Sequence, residues 1–384
     1  MKSIVISTAI GGLLAALAMA QTPRYTFTDL GALGATGQPY FLTRNGLVAG
    51  TVNQPDGTEH AVLWYKGLKL DIGAPGLGGK NSVSYGANER GQFVGQAQTS
   101  NFDPYVEDFC GFRALGLPFV PTTCRPFLWM NGAMMALPTL GGENGAANQI
   151  NSRGEVAGLA ENNIRDPGCP APQQFQFRPV IWERAGIQEL PIVPGDLEGT
   201  AFAINDNGEA VGASGQCSLF NPNLLIYLQP LHALFWQAGT MTDLGTLGGT
   251  GKGNGIVALN LNNRGQVVGS SDLKGDRNFH AFVWTKAAGM QDLGTLPGDV
   301  NSAAFSINDA GDIVGVSADE DFNLRAFLRQ NGQMTDLTSL IPASTGMQLI
   351  LPCSINARGQ ITGLAIHKST GTLHGFLLTP DSAE

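Results

Sequence analysis

Residues 306–315, SINDAGDIVG, place three oxygen-bearing side chains around a glycine: Asn308, Asp309 and Asp312. Closely spaced carboxylates and amides are the ligands that a hard divalent cation such as Ca²⁺ selects. The rest of the chain tests this interpretation, because the same stretch occurs seven times. In other copies the residues aligned with Asp309 include Ser152, Asn263 and Ala357. The candidate ligands do not persist, so the sequence predicts a repeated structural element and no metal site.

Two glycines persist in every copy. The first set is Gly46, Gly91, Gly154, Gly208, Gly265, Gly311 and Gly359, and the second set is Gly50, Gly95, Gly158, Gly212, Gly269, Gly315 and Gly363. The first set suits a hairpin turn that ends on a left-handed residue and favours Asn at its first position. Apolar residues alternate on both sides of each turn, which predicts two antiparallel strands.

A second recurrent pattern sets a cationic side chain against a carboxylate. His60, His232, His280 and His374 open one recurrent strand, where other copies carry Arg125, Arg178 and Arg325. The following strand carries Asp71, Glu189, Asp243, Asp292, Asp336 and Asp29, with Ala136 as the exception. A His–Asp pair can act as a base, but a repeated pair is more simply a cross-strand latch. We predict latches His60–Asp71, His232–Asp243, His280–Asp292, Arg325–Asp336 and His374–Asp29, with His280 directly opposite Asp292.

These side chains belong to a unit of four strands, which we call a, b, c and d. Its strands are exemplified by AFSIN, DIVGVS, HAFVW and MQDLGTL. Four strands per repeat without a helix are typical of propeller blades. The seventh unit has no strand d, whereas YTFTDLG (25–31) precedes the first unit. We therefore predict an all-β, seven-bladed β-propeller of four-stranded antiparallel blades, closed by the N-terminal strand in the last blade.

One further recurrent position on strand c is aromatic. It is occupied by Trp64, Trp129, Trp182, Trp236 and Trp284. Regular recurrence favours packing between blades over the stacking of sugars.

The repeat HAFVW…MQDLGTLPG…SINDAGDIVG resembles that of the HAF-repeat family of extracellular repeat proteins. The resemblance covers essentially all of 25–380. It implies a secreted repeat protein and brings no biochemical activity with it.

The beginning of the chain predicts export. Residues 1–20 combine Lys2, an apolar run and Ala18-Met19-Ala20, as a cleavable secretory signal peptide does. We expect a single propeller domain at 21–384 and a secreted or periplasmic protein. No later apolar run is long enough to cross a bilayer, and a net charge of −9 without a basic patch argues against nucleic acid as a partner. We expect a monomer without cofactor.

Three units depart from the repeat by insertions between strands b and c, at 98–124, 161–177 and 215–231. Loops of this length are uncommon without a purpose. In an exported chain their four cysteines predict disulfides, preferably Cys110–Cys124 and Cys169–Cys217. We expect Cys353, in strand a of the last unit, to be a buried thiol. The candidate binding residues of the insertions are Asp103, Tyr105, Glu107, Asp108, Arg113, Arg165, Asp166 and Tyr227.

Two functions fit this organisation. The first is a non-catalytic binding or scaffold module for an extracellular or envelope protein or polymer, with the insertions as either a disulfide-pinned flap or the ligand site. The alternative is a propeller enzyme, a lyase or hydrolase acting on glycans, with Asp103, Glu107, Asp108 or Asp166 as acid and base. The sequence contains no G-x-S-x-G, H-E-x-x-H, zinc-spaced Cys/His set or phosphate loop. We therefore favour binding.

Overall fold

The computed structural model describes residues 25–34, 37–73, 76–107, 109–110, 121–221, 226–253 and 255–381. They form seven antiparallel sheets of four strands, each in the order a, b, c, d. The a strands of neighbouring blades contact one another around the ring, so strand a lines the centre and strand d lies at the rim. The predicted seven-bladed propeller is confirmed.

The 28 strands are numbered in chain order. The a strands are β2 (Gln38–Leu42), β6 (Gly78–Ala87), β10 (Gly141–Ile150), β14 (Glu198–Ile204), β18 (Ile256–Leu261), β22 (Asn301–Ile307) and β26 (Met347–Ile355). The b strands are β3 (Val48–Asn53), β7 (Phe93–Phe102), β11 (Val156–Arg165), β15 (Ala210–Asn221), β19 (Val267–Asp272), β23 (Ile313–Ala318) and β27 (Ile361–His367). The c strands are β4 (Glu59–Tyr65), β8 (Thr122–Met130), β12 (Phe175–Glu183), β16 (Ile226–Gln237), β20 (Phe279–Thr285), β24 (Leu324–Gln330) and β28 (Leu373–Pro380). The d strands are β5 (Leu68–Asp71), β9 (Ala133–Ala136), β13 (Gly186–Glu189), β17 (Thr240–Asp243), β21 (Gly289–Asp292), β25 (Gln333–Asp336) and β1 (Tyr25–Ala32).

Helical structure in the described residues is limited to two 3₁₀ turns, Leu337–Leu340 and Ala343–Thr345. None of the helices in this part of the chain has the length and apolar character that a membrane span needs.

The ring is closed by β1, as the sequence predicts. β1 pairs antiparallel with β28 from Tyr25 opposite Pro380 to Ala32 opposite His374, and so completes the seventh blade. Tyr25 is buried, and this burial raises the pKa of its hydroxyl to about 12. The first strand of the chain therefore contributes both edge pairing and core packing to the last blade.

The second glycine of each repeat has a steric cause. A Cβ placed on Gly269 would lie 1.9 Å from the carbonyl oxygen of Val257. At the equivalent glycines of the other copies the same distance ranges from 1.8 Å at Gly95 to 2.3 Å at Gly50. Strand a is bulged one residue beyond each carbonyl, for example between Ala258 and Asn260. The bulge brings the backbone of strand a against strand b, and only glycine leaves enough space.

A ring of asparagines connects the a–b turns of successive blades. Each amide Nδ2 donates to the carbonyl oxygen of the corresponding residue in the next blade over 2.9–3.2 Å. The series runs from Asn88 to Asn151, Asn205, Asn262, Asn308, Asn356 and finally Thr43. Thr43 has no amide to continue the series, and its hydroxyl bonds to Asn45 Oδ1 in its own turn. The asparagine of the turn is thus an inter-blade connector as well as a turn former.

The carboxylates of the calcium-like stretch also hold turns together. Asp309 Oδ1 accepts from the backbone N of Asn263 in the preceding blade at 2.8 Å. Asp312 Oδ2 accepts from Asn308 Nδ2 at 3.0 Å. The oxygen atoms that suggested a cation site therefore accept hydrogen bonds within the ring.

The strand-c tryptophans pack between blades, as predicted. Trp182 Nε1 donates to the Pro138 carbonyl at 2.8 Å, and Trp236 Nε1 donates to the Pro191 carbonyl at 2.7 Å. Both acceptors lie in the d–a connector of the preceding blade. The indoles therefore link neighbouring sheets through their rings and through their N–H groups.

Candidate functional site

The insertions of blades two to four lie on the face that carries the b–c turns and the d–a connectors. They are partly strand: β15 and β16 have 12 residues each, whereas β3 has 6. We call the described residues 102–107, 109–110 and 161–177, together with the outer parts of β15 and β16, the crown. In the described residues, each predicted insertion of blades two to four thus begins and ends as an extension of its b–c hairpin.

Both predicted disulfides are confirmed. Cys110–Cys124 fixes the first insertion to its own blade, and Cys169–Cys217 joins the second insertion to the fourth blade. Two disulfides are consistent with an extracellular protein. Cys353 lies at the bulge of β26 without a disulfide partner; the residue as a whole is half-buried, and burial of its thiol raises the pKa to about 12.

The acidic residues that the sequence offered as ligand contacts are buried. Asp103 is 0% exposed, Glu107 2% and Asp166 5%. Asp103 accepts from the backbone N of Tyr105 at 2.8 Å and of Glu107 at 3.1 Å, and Asp166 accepts from the N of Gly168 at 2.7 Å. The carboxylates of these three predicted binding residues thus order the backbone of the insertions and lie below the surface.

Glu107 joins the first insertion to the third blade. Its Oε1 accepts from the backbone N of Gln174 at 2.6 Å and of Phe175 at 3.3 Å, both in or beside the second insertion. Its carboxyl also meets Glu161, whose Oε2 accepts from the backbone N of Glu143 at 2.7 Å. Burial first, and then the neighbouring Glu107, raise the pKa of Glu161 to about 9. Burial and the neighbouring carboxyl therefore favour the protonated form of Glu161.

Glu198 and Asp166 form a second carboxyl pair at the next blade boundary. Glu198 is 1% exposed, and its Oε2 accepts from the backbone N of Phe177 at 2.6 Å. Burial, with a smaller contribution from Asp166, raises the pKa of Glu198 to about 9. Atoms of this pair lie within 4.8 Å of the sulfurs of Cys169 and Cys217. Those sulfurs are bonded to each other, so the cluster offers no thiolate to a metal.

Sequence reasoning missed both Glu161 and Glu198. One available signal was the position of Glu161 in the repeat, which it shares with Gln98 and Asp272. Gln98 Oε1 accepts from Asn81 Nδ2 at 2.9 Å, and Asp272 Oδ2 accepts from the N of Gly253 at 3.1 Å. This position of strand b thus repeatedly supplies a buried acceptor to the first residues of strand a or to the connector before it, which alignment of the copies could have revealed.

The exposed surface of the crown is aromatic and cationic. Tyr105 is 39% exposed and meets Phe175 edge to face, with 4.6 Å between the ring centroids. The guanidinium carbon of Arg165 lies 5.6 Å from the Tyr105 centroid and 5.2 Å from that of Phe175. Phe102 and Ile164 are 63% and 56% exposed. Together these side chains form a surface that can stack on a ring or an apolar group and can donate to an anion.

Other candidate binding residues cannot be placed. Asp108 and Arg113 lie outside the described residues, and Tyr227 lies in β16 with its side chain outside the described part. Tyr105 and Arg165 are therefore the candidates that the structure brings together at the surface.

The cation–carboxylate pairs form with two changes from the prediction. His60 Nδ1 lies 2.6 Å from Asp71, His280 Nδ1 2.9 Å from Asp292, and His374 Nδ1 3.0 Å from Asp29. Asp292 is opposite Phe282 in the register, so His280 contacts it diagonally and the predicted direct opposition is wrong. The cause is the turn between β20 and β21, whose centre lies one residue later in the chain than the sequence spacing suggested.

The second change concerns the partners of His232 and Arg325. His232 Nδ1 lies 2.8 Å from Asp196 in the preceding connector, so the predicted His232–Asp243 pair is wrong. Arg325 lies 2.8 Å from Asp299, also in a connector, and 3.9 Å from the predicted partner Asp336. The connector carboxylates are buried, with 5% and 4% of their side chains exposed, and so provide stronger partners than the rim.

We expect His280→Ala and Asp292→Ala each to destabilise the protein modestly. Cross-strand pairs contribute roughly 0.2–1 kcal/mol, and the double variant should lose less than the sum of the single losses. Urea unfolding of the four proteins measures the coupling. Additive losses would show that the contact contributes nothing to stability.

Comparison with known proteins supports the fold. No family model and no curated protein matches the chain. Among solved structures, the chain is similar to the β-propeller domain of the Trilobed protease from Pyrococcus furiosus, with a TM-score of 0.51 and 7% identity over 94% of this chain and 99% of that one. A chain of the Mitotic Checkpoint Complex gives 0.45 with 8% identity, over 99% and 100%. The Aleuria aurantia lectin with Fucα1-6GlcNAc gives 0.35 with 8% identity, over 91% and 96%. At 7% identity the likeness to the Pyrococcus furiosus domain shows the propeller fold alone.

Proposed function

We propose that this chain is an exported, non-catalytic binding module that engages an extracellular protein or polymer through the crown. The HAF-type repeat and the signal-like residues 1–20 support export, and the two disulfides agree with it. The observation that carries the proposal is the exposed Tyr105–Arg165 pair, which packs on the buried ring of Phe175 and on a cross-connected base.

The base makes this cluster suitable for recognition. Phe109 stacks on Phe177 at 4.5 Å beneath it, and Gln174 Nε2 donates to the carbonyl of Tyr105 at 3.1 Å. Side chains that are already fixed lose little entropy when a ligand binds. Tyr and Arg are also enriched among residues that dominate binding energy, and Tyr105 and Arg165 are both exposed here.

The enzyme alternative receives no support from the described acids. An acid–base pair must reach the scissile bond, whereas Asp103, Glu107 and Asp166 are buried within the crown. Their hydrogen bonds run to backbone N–H groups of the insertions. These contacts agree with a structural role and favour binding over catalysis.

Screening the purified protein against arrays of glycans and of secreted proteins, with product analysis, tests the proposal. We expect a bound ligand, no released product, and about thirtyfold weaker binding by Tyr105→Ala and by Arg165→Ala, since truncation of a hot-spot residue costs roughly 2 kcal/mol. Phe322→Ala is the matched control, because Phe322 is an aromatic residue, 59% exposed, on the b–c turn of blade six. Equal losses from the control, or product release, would contradict the proposal.

A further inference from the structure

The rim of the ring is apolar in two neighbouring blades. The third residue of strand d faces away from the core, and in five blades it is polar: Thr28, Gln188, Thr242, Gln291 and Thr335. In blades one and two it is Leu70 and Met135, which are 52% and 45% exposed. Strand d pairs with strand c in the same register in the seven copies. The other blades therefore show which type of residue is ordinary at this position.

In blade one the whole amphipathic pattern of strand d is inverted. Its second residue is Lys69, whereas the other blades place Phe27, Met134, Ile187, Met241, Met290 and Met334 there, packed against the core. Its first and third residues are Leu68 and Leu70, which are 74% and 52% exposed. All four residues of β5 are exposed, so this rim presents two leucines on either side of a lysine.

We propose that β5 is a docking edge for an extended peptide segment of a partner protein in which apolar and acidic residues alternate. β5 is the last strand of its sheet, so one side of its backbone has no strand partner among the described residues. An added strand pairs with such an edge through its main chain. Its apolar side chains would lie beside Leu68 and Leu70, and its acidic side chains beside Lys69 on the other face.

The charges favour an acidic partner over a second copy of this chain. Neither Lys66 nor Lys69 takes part in an ion pair among the described residues, while Asp71 is held by His60 Nδ1 at 2.6 Å and by the N of Gly73 at 2.8 Å. Antiparallel pairing of two copies of β5 that sets leucine against leucine places the two Lys69 side chains opposite each other. Like charges at opposite positions destabilise such a pair.

Fluorescence anisotropy with a short labelled peptide of alternating valine and glutamate tests this edge. We expect the peptide to bind the wild-type protein, with an affinity that falls as salt is added. The matching valine–lysine peptide should not bind. The triple variant Leu68→Thr, Lys69→Met, Leu70→Thr gives blade one the sequence of β17 and should weaken binding by about tenfold or more. Its melting midpoint verifies that it folds.

Three results would overturn the proposal. The first is no binding of the valine–glutamate peptide to wild type, and the second is equal binding by the triple variant. The third is a wild-type dimer in light scattering that the triple variant does not form, because it would identify the occupant as a second copy. Met135→Thr extends the test to the neighbouring blade, and a further loss of affinity would show that both apolar positions belong to one surface.

Discussion

A chain that begins at Leu33 is expected to aggregate or to unfold at a much lower temperature than the complete ring. It would lack β1 and expose the backbone edge of β28, whose Phe376 and Leu378 are fully buried in the ring. Unpaired edges with apolar side chains associate readily. Light scattering and the thermal midpoint measure both effects.

A chain that begins at Gln21 is the control, since it keeps β1 intact. Tyr25→Ala isolates the packing component, and we expect a loss of about 3–5 kcal/mol, as for other buried aromatic residues. A monomeric truncated chain with an unchanged midpoint would show that ring closure by β1 does not support the fold.

The free energy of unfolding is expected to fall as the pH rises from about 5 to about 9. Burial raises the pKa of Glu161 and of Glu198 from the ordinary 4.5 to about 9. Across this interval the folded protein holds a proton that the unfolded chain has released. Each group therefore lowers the stability as the pH rises, and the loss is complete above its folded pKa. Urea titrations at successive pH values measure the slope.

The slope of stability against pH reflects the protons that the folded protein holds and the unfolded chain does not. Glu161→Gln should remove the contribution of about one such proton, because the amide of glutamine stays neutral at every pH in the range. Glu320→Gln is the matched control, since Glu320 is exposed on a short b–c turn. Proteolysis of the crown at pH 9 provides an independent readout. At that pH an ionised Glu161 repels Glu107, and this repulsion weakens the contact between the first insertion and blade three. An identical slope in both variants would show that Glu161 is ionised in the fold.

The architecture could be predicted because the chain contains seven copies of one unit. Differences between copies removed the calcium interpretation of Asp309 and Asp312, and the placement of 25–31 before the first unit revealed the ring closure. The confinement of Cys110, Cys124, Cys169 and Cys217 to the insertions indicated disulfides there, and the preferred pairing is the one that the structure shows. Repetition thus takes the place of an alignment of relatives.

The site could be predicted only in part, because the insertions have no counterpart in the other copies. Exposure of Asp103, Glu107 and Asp166 was inferred from residue type, whereas the structure buries them where one insertion packs on the next. The partner of His232 was missed for a related reason. Asp196 lies in a connector that differs in length between blades, so repeat spacing did not indicate its position.

Closure of the ring by β1 also determines where the protein could be attached to a tether, a fusion partner or a solid support. Tyr25 and Pro380 are opposite each other, and Thr379 Oγ1 accepts from Gln360 Nε2 beside the a–b turn of blade seven. Both ends of the described chain therefore leave the ring at one point of the rim, on the face opposite the crown. A tether, fusion partner or solid support joined at either end would attach to that point and leave the crown directed away from the attachment. Two tethers, one at each end, would still attach the protein at a single point. The ring could rotate about that point without covering Tyr105 and Arg165.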